Sequence, residues 1–286
     1  VKITGPLKWH GGKADLAEWI IGLMPPRCTT PNNPKPDDDG WLHYVEPFFG
    51  GGSVLLANDP EGVSEVVNDL NGKLINFWAT LANQQTFAAF QRWADATPFA
   101  ERCYELAADP EYIHSQDRID ASAAVAFFVR CRQSLSGRMK GFAGITRNRT
   151  RRGMNEQVSA WLNAIDGLPE VHARLKRVLI RNQPAIDIIR KEDGPRTLFY
   201  LDPPYLRETR VTTGEYEHEM SDQQHLELLR SLTEIEGRFL LSGYHSKVYD
   251  DTAMNFGWKC HEKSIHNHAA GGKAKRVMTE CVWTNY

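Results

Sequence analysis

Long hydrophobic runs, closely spaced cysteines and a dominant charge are all missing from this 286-residue chain. With no run of about 18 apolar residues, no membrane-spanning helix is expected. The opening Val1-Lys2-Ile3-Thr4 has no apolar stretch of the kind a secretion signal carries. The five cysteines, at 28, 103, 131, 260 and 281, form neither a zinc-knuckle spacing nor a CxxC pair. Such a scattered, odd-numbered set predicts reduced, mostly buried thiols in a cytoplasm, and no metal. A net charge of −2 excludes a uniformly polybasic chain. A Gly-Lys-Ser/Thr phosphate loop is lacking, and a dinucleotide fingerprint fits badly. No internal repeat is visible.

What the chain does contain is unevenly placed. An apolar share of 41% is ordinary for a globular protein, and the length suits one large domain or a catalytic domain with a modest insert. Charge is concentrated between residues 130 and 152. That window holds Arg130, Arg132, Arg138, Lys140, Arg147, Arg149, Arg151 and Arg152 and no acidic residue, so it carries +8 and leaves −10 for the remainder. A basic island in an acidic protein is a local electrostatic footprint. Gly137, Gly141, Gly144 and Gly153 interleave it, which predicts a mobile loop able to order on a phosphate backbone. A solvated loop is the plainer alternative.

Periodicity and punctuation give an element order. Residues 15–24 read as an amphipathic helix ending before Pro25-Pro26, and 25–40 as a surface loop. Strands are predicted at 43–46, 63–68, 177–181, 197–201 and 238–242, around Trp258, and at 277–283. A long helical stretch runs from about 71 to 131, broken near Pro98 and Pro110, and more helix follows from 155 to about 176. Strand–helix alternation at both ends predicts an α/β fold with a mainly parallel sheet. The helical middle reads as an insert: residues 1–82 and 177–286 form one domain, and residues 83–176 a second, carrying the basic loop 130–152.

Three segments carry chemistry. Asp202-Pro203-Pro204-Tyr205 follows the apolar Leu198-Phe199-Tyr200-Leu201, so a carboxylate, a stiffened carbonyl and an aromatic face stand together at a strand end. That set suits holding a planar amine still while a group is placed on its nitrogen. Glu46-Pro47-Phe48-Phe49-Gly50-Gly51-Gly52-Ser53 joins a strand to a helix through glycines that permit close backbone approach, as a nucleoside-bearing cofactor needs. Asp69, about 20 residues on and at the next strand end, suits ribose hydroxyls; helix capping is the alternative. Lys8-Trp9-His10-Gly11-Gly12-Lys13 offers an aromatic and two cations around paired glycines. His261, His266 and His268 read as a solvated hairpin rather than a metal site. Tyr216 and His218 are candidates for the mouth of a target pocket.

Taken along the chain, Lys8-Trp9-His10-Gly11-Gly12-Lys13, then Glu46-Pro47-Phe48-Phe49-Gly50-Gly51-Gly52, then Asp202-Pro203-Pro204-Tyr205 resemble the Dam-like family of adenine-N6 DNA methyltransferases in residues and in order. Weaker agreement continues through Tyr216, the 222–229 helix, Leu241-Ser242-Gly243-Tyr244 and residues 280–286, covering the sheet at both ends but not the helical middle. The resemblance implies a Rossmann-like S-adenosylmethionine (SAM)-dependent methyltransferase sheet with an inserted target-recognition domain. It implies SAM contacts at Trp9, Lys13, Asp69 and Asp202, backbone of Phe49, Gly50 and Gly51 at the methionine end, and Glu46 beside them. His10 and Pro184 depart from the family pattern; the adenine end of the cofactor then falls to Ile186 and Asp187. Asp202, Pro203 and Tyr205 are the implied catalytic residues, acting on an adenine flipped out of double-stranded DNA, and S-adenosylhomocysteine is the implied product. Phosphates and base edges would be met by the eight cations of the basic loop. The resemblance also admits a cognate restriction endonuclease as partner, and places the protein in the cytoplasm of a bacterium or of a virus's bacterial host. Competing readings are an amino-methyltransferase on cytosine N4, RNA or a protein amide, a DNA-binding relative without catalysis, and, more distantly, a nucleotide-dependent dehydrogenase.

Overall fold

The computed structural model describes residues 3–9, 11–29, 38–108, 119–209, 219–266 and 277–286. His10, Tyr216, His218 and His268 lie outside them. Nine strands are described: β1 (His43–Glu46), β2 (Ser64–Asn68), β3 (Thr150–Arg151), β4 (Met154–Asn155), β5 (Val178–Arg181), β6 (Thr197–Leu201), β7 (Arg238–Gly243), β8 (Lys259–His266) and β9 (Val277–Thr284). Seven form one sheet in the order β5-β2-β1-β6-β7-β9-β8, and β3 and β4 make a separate hairpin. β1 runs parallel to β2 and β6, and β6 parallel to β7. β9 is antiparallel to both β7 and β8. The fold is α/β, a Rossmann-like sheet flanked by helices.

The sheet centre follows from composition. Every residue of β6, Thr-Leu-Phe-Tyr-Leu, is buried. A strand between two parallel neighbours is covered on both faces, so it reads as a continuous apolar run instead of an alternation.

The chain divides into two compact units, one of residues 1–21, 49–59 and 69–182, the other of residues 22–48, 60–68 and 183–286. In the first, helices Gly72–Ala82, Gln84–Ala96, Ala121–Arg132 and Glu156–Asp166 share an aromatic core. Phe77 stacks on Phe128 with centroids 5.9 Å apart, and Phe128 meets Trp161 at 5.1 Å. The long helical stretch predicted from 71 to 131 has a further break that proline did not signal. Asn83 is extended, and its side chain accepts from Gln85 and Thr86 N–H, so one asparagine ends a helix and caps the next. Gly167 also divides 156–175, but it stays in the right-handed helical region and supplies no side-chain cap. In the second unit, Val45, Val66, Phe199, Leu201, Leu228, Phe239, Leu241 and Trp283 belong to one buried apolar cluster. Among the described residues, no helix is long and apolar enough to cross a membrane.

Candidate active site and nucleic-acid interface

In the first unit the glycine turn is built around Trp9. Gly50 and Gly52 have φ of 50° and 67°, where a side chain would be strained. A Cβ on Gly51 would stand 2.7 Å from the Trp9 Cβ, and one on Gly50 2.9 Å from the Trp9 ring nitrogen. The turn is pinned from two further sides. Gly50 N–H donates to Asp69 Oδ2 at 2.9 Å, and the Trp78 indole N–H donates to Gly50 O at 3.0 Å. Phe49 is buried with its ring 4.9 Å from that of Trp78. The other Asp69 oxygen accepts from Asn71 N–H at 2.9 Å. Helix capping, the alternative considered for Asp69, belongs to Asn71, whose side chain accepts from Lys73 and Leu74 N–H. Lys13 is buried and its ammonium donates to Gly11 O at 3.1 Å. Trp9, Lys13, the 49–51 backbone and Asp69 thus fall in one unit, with Trp9 packed against Gly50 and Gly51 and Gly50 bonded to Asp69.

In the second unit, buried β6 delivers Asp202 half-buried, Pro203 buried and Tyr205 buried. The Tyr205 hydroxyl donates to Glu280 Oε1, and its ring meets Tyr244 edge-on at 4.7 Å. Behind it, the Tyr200 hydroxyl is 3.0 Å from Ser242 Oγ, and the Tyr44 hydroxyl donates to Glu46 at 2.8 Å. Burial, then the Asp202 and Glu280 carboxylates, push the Tyr205 hydroxyl pKa well above its usual value. Burial and Asp202, and more weakly Glu46 and Glu280, do the same at Tyr200. Three acidic groups therefore converge on the β6 end, each close to a phenol that stays protonated. A shallow recess beside them is lined by Tyr205, Leu206, Thr209, Gly243, Tyr244 and Tyr249. Glu280 is a residue that the motif reading left without a role. Its signal was a single acid inside the apolar β9 sequence, where an inward charge needs a partner. Asn68 was also missed: its side-chain amide donates to Pro47 O and Gln183 O while its oxygen accepts from Gln183 N–H. Ile186 is half-buried in the helix Ala185–Glu192, and Asp187 is exposed.

The basic segment splits into two kinds of cation. Arg130 donates to Met139 O at 2.5 Å and lies 4.0 Å over the Tyr104 ring. Arg132 donates to Ala160 O, and burial lowers its pKa. Both guanidinium groups brace the interior of their own unit. Arg138, Lys140, Arg147, Arg149, Arg151 and Arg152 are exposed. Arg149 is 3.7 Å from Glu156 and Arg152 3.5 Å from Asp166, with side chains half or more exposed on the arginine side. Where sequence suggested a loop, residues 150–155 form the β3–β4 hairpin. Its turn residues Arg152 and Gly153 have φ of 56° and 73°, the positive pair a two-residue hairpin demands.

Residues 9–266 match the family model of the D12 class N6 adenine-specific DNA methyltransferases. No curated protein matches the chain.

Proposed function

The chain belongs to the D12 class N6 adenine-specific DNA methyltransferases, and from that premise we propose how its residues divide the work. The enzyme methylates adenine in DNA; the family implies SAM as donor and a flipped target base. The observation that carries the reading is the Asp202-Pro203-Pro204-Tyr205 terminus of a fully buried strand, within a chain matched over residues 9–266.

The donor set of the first unit fits SAM. A buried ammonium at Lys13, a glycine turn without side chains and the Asp69 carboxylate suit an amino-acid end and a ribose. In this assignment Trp9, Lys13 and the 49–51 backbone hold the methionine portion, Asp69 the ribose, and Ile186 the adenine. Glu46 and Asp202 complete the cofactor contacts. SAM, when bound, supplies a methyl group on a positive sulfonium.

The remaining chemistry belongs to the protein. Adenine's exocyclic nitrogen is a poor nucleophile because its lone pair is delocalised into the ring. Asp202 and the Pro203 carbonyl accept hydrogen bonds from its two N–H groups, which favours a tetrahedral nitrogen with a lone pair available for attack. One N–H proton then leaves to solvent and the other stays on the methylated nitrogen. Pro203 and Pro204 limit backbone freedom, so the acceptors are set before the base arrives. Tyr205 stacks on the extruded ring, which is worth about 1–3 kcal/mol. The exposed cations among residues 138–152 bind backbone phosphates and read bases, and residues 83–176 form the target-recognition region. A cognate endonuclease, where one exists, would be the functional partner.

Asp202→Ala tests this directly. Transfer of labelled methyl to DNA should fall by about 10²-fold or more, while the circular dichroism spectrum and melting temperature stay near those of the parent. Near-normal turnover would remove Asp202 from the mechanism.

A further inference from the structure

We propose that His245, Cys260, Glu262 and Cys281 form a structural site for a zinc-like divalent metal ion, separate from the methyl-transfer residues. Spacing along the chain does not signal it, because Cys260 and Cys281 are 21 positions apart. The antiparallel register removes that separation. β8 and β9 pair Glu262 with Cys281 and Cys260 with Trp283, and β7 and β9 pair Gly243 with Cys281. Side chains two apart on a strand share a face, so Cys260, Glu262 and Cys281 lie on the same side of the hairpin. His245, two residues past the end of β7, reaches that side, with its ring 6.1 Å from Trp283. The two sulfurs and one imidazole nitrogen all lie within 4.8 Å of one another.

A tetrahedral ion would draw these atoms closer than the 4.8 Å that bounds them. Ligands bound at 2.0–2.1 Å stand about 3.3 Å apart at tetrahedral angles, and sulfurs bound at 2.3 Å about 3.8 Å apart. His245 Nε2 is 3.2 Å from Glu262 Oε1, the spacing of two such ligands. The opposite ring nitrogen, Nδ1, is 2.9 Å from Asp250 Oδ1. A carboxylate on the far side of the imidazole fixes the tautomer and orientation of a metal-binding histidine. Two thiolates, one imidazole and one carboxylate are the donors that select zinc over magnesium or calcium. On binding, the two thiol protons pass to solvent and two metal–sulfur bonds form, with no change of oxidation state.

The other cysteines lack this company. Cys28 donates to Asp38 and Cys131 to the Lys8 carbonyl, and Cys103 belongs to no group of three metal-ligating side chains among the described residues. Cys260 is exposed while Cys281 is buried in the apolar cluster. An ion here would tie the outermost strands β8 and β9 to the segment after β7. Glu280, the partner of Tyr205, is the residue next to Cys281 on β9. The ion would thus hold the strand that positions Tyr205 without touching substrate.

The test uses the full chain purified with reductant and without chelator. Elemental analysis should find about one zinc per chain. Replacement by cobalt(II) should give sulfur-to-cobalt charge-transfer absorption in the near ultraviolet, with the strong visible bands of a tetrahedral site. Cys260→Ser and His245→Ala should lose both signals. Cys103→Ser should keep both, and Asp250→Asn should weaken retention about 10–100-fold. Cys260 is exposed, so its serine variant should fold, and its melting transition verifies that. Absence of stoichiometric metal together with a cobalt spectrum lacking sulfur bands would overturn the proposal. So would a metal content unchanged by Cys260→Ser.

Discussion

A single carboxylate–phenol hydrogen bond orders the end of β6. Glu280 is almost fully buried and accepts from a Tyr205 hydroxyl that is itself buried. Taking away one partner of a buried hydrogen bond costs about 1–3 kcal/mol, more than the bond's net worth, because the other partner keeps its desolvation penalty. Glu280→Leu should therefore lower unfolding free energy by about that amount in urea denaturation, and Tyr205→Phe, which leaves the buried carboxylate short of a donor, should lose at least as much. The double variant should be more stable than the sum of the two changes implies. Strict additivity would show that the pair does not interact. Asp69 illustrates how far such a residue could be read from sequence. Its distance from the glycine turn pointed to ribose hydroxyls, while the hydrogen bond it accepts from Gly50 N–H, internal to the protein, was not signalled by that spacing. Glu280 was not readable in this way, since its partner is 75 residues away and only the folded sheet joins them.

The β3–β4 hairpin and its flanks carry exposed cations, whereas Arg130 and Arg132 are tied to carbonyls of their own unit. Neutralising Arg147, Arg149, Arg151 and Arg152 together should weaken DNA binding at every sequence. The slope of log K against log salt should fall by about 0.9 for each phosphate that is no longer neutralised. Arg132→Ala should do the opposite: melting temperature drops, because Ala160 O is deprived of its donor inside the unit, while the slope holds. Filter binding across a salt series distinguishes the two, and an unchanged slope in the fourfold variant would take the hairpin out of the DNA interface. Composition alone made all eight cations of residues 130–152 look equivalent. Their division depends on tertiary neighbours: Met139 and Tyr104 for Arg130, Ala160 for Arg132. The central strands were far more legible. β6 announces itself by five consecutive residues that all require cover, and the proline pair then marks where it stops. The subdivision of the helical middle at Asn83 was hidden, since asparagine there acts through a capping geometry that no periodicity displays.

Across the whole molecule, buried phenols set an alkaline limit. Burial, with neighbouring carboxylates, raises the pKa of Tyr44, Tyr200 and Tyr205 well above the ordinary value. The folded state therefore keeps three protons that the unfolded chain releases near pH 10. This contribution to stability is complete below about pH 10 and is lost as pH rises further, since the unfolded state then binds fewer protons. Ultraviolet titration of the nine tyrosines should show at least these three ionising only together with unfolding. Nine phenols titrating smoothly around pH 10 would contradict their burial. The last strand draws these scales together. At 280 β9 offers an acid to Tyr205, and at 281 a thiol to His245 and Cys260 on the reverse side. Sliding it by one position would exchange the two, sending a sulfur to the phenol and a charge into the apolar cluster. Insertions or deletions of one residue within Val277–Thr284 are consequently barred twice over, and length variation in this chain must be accommodated elsewhere.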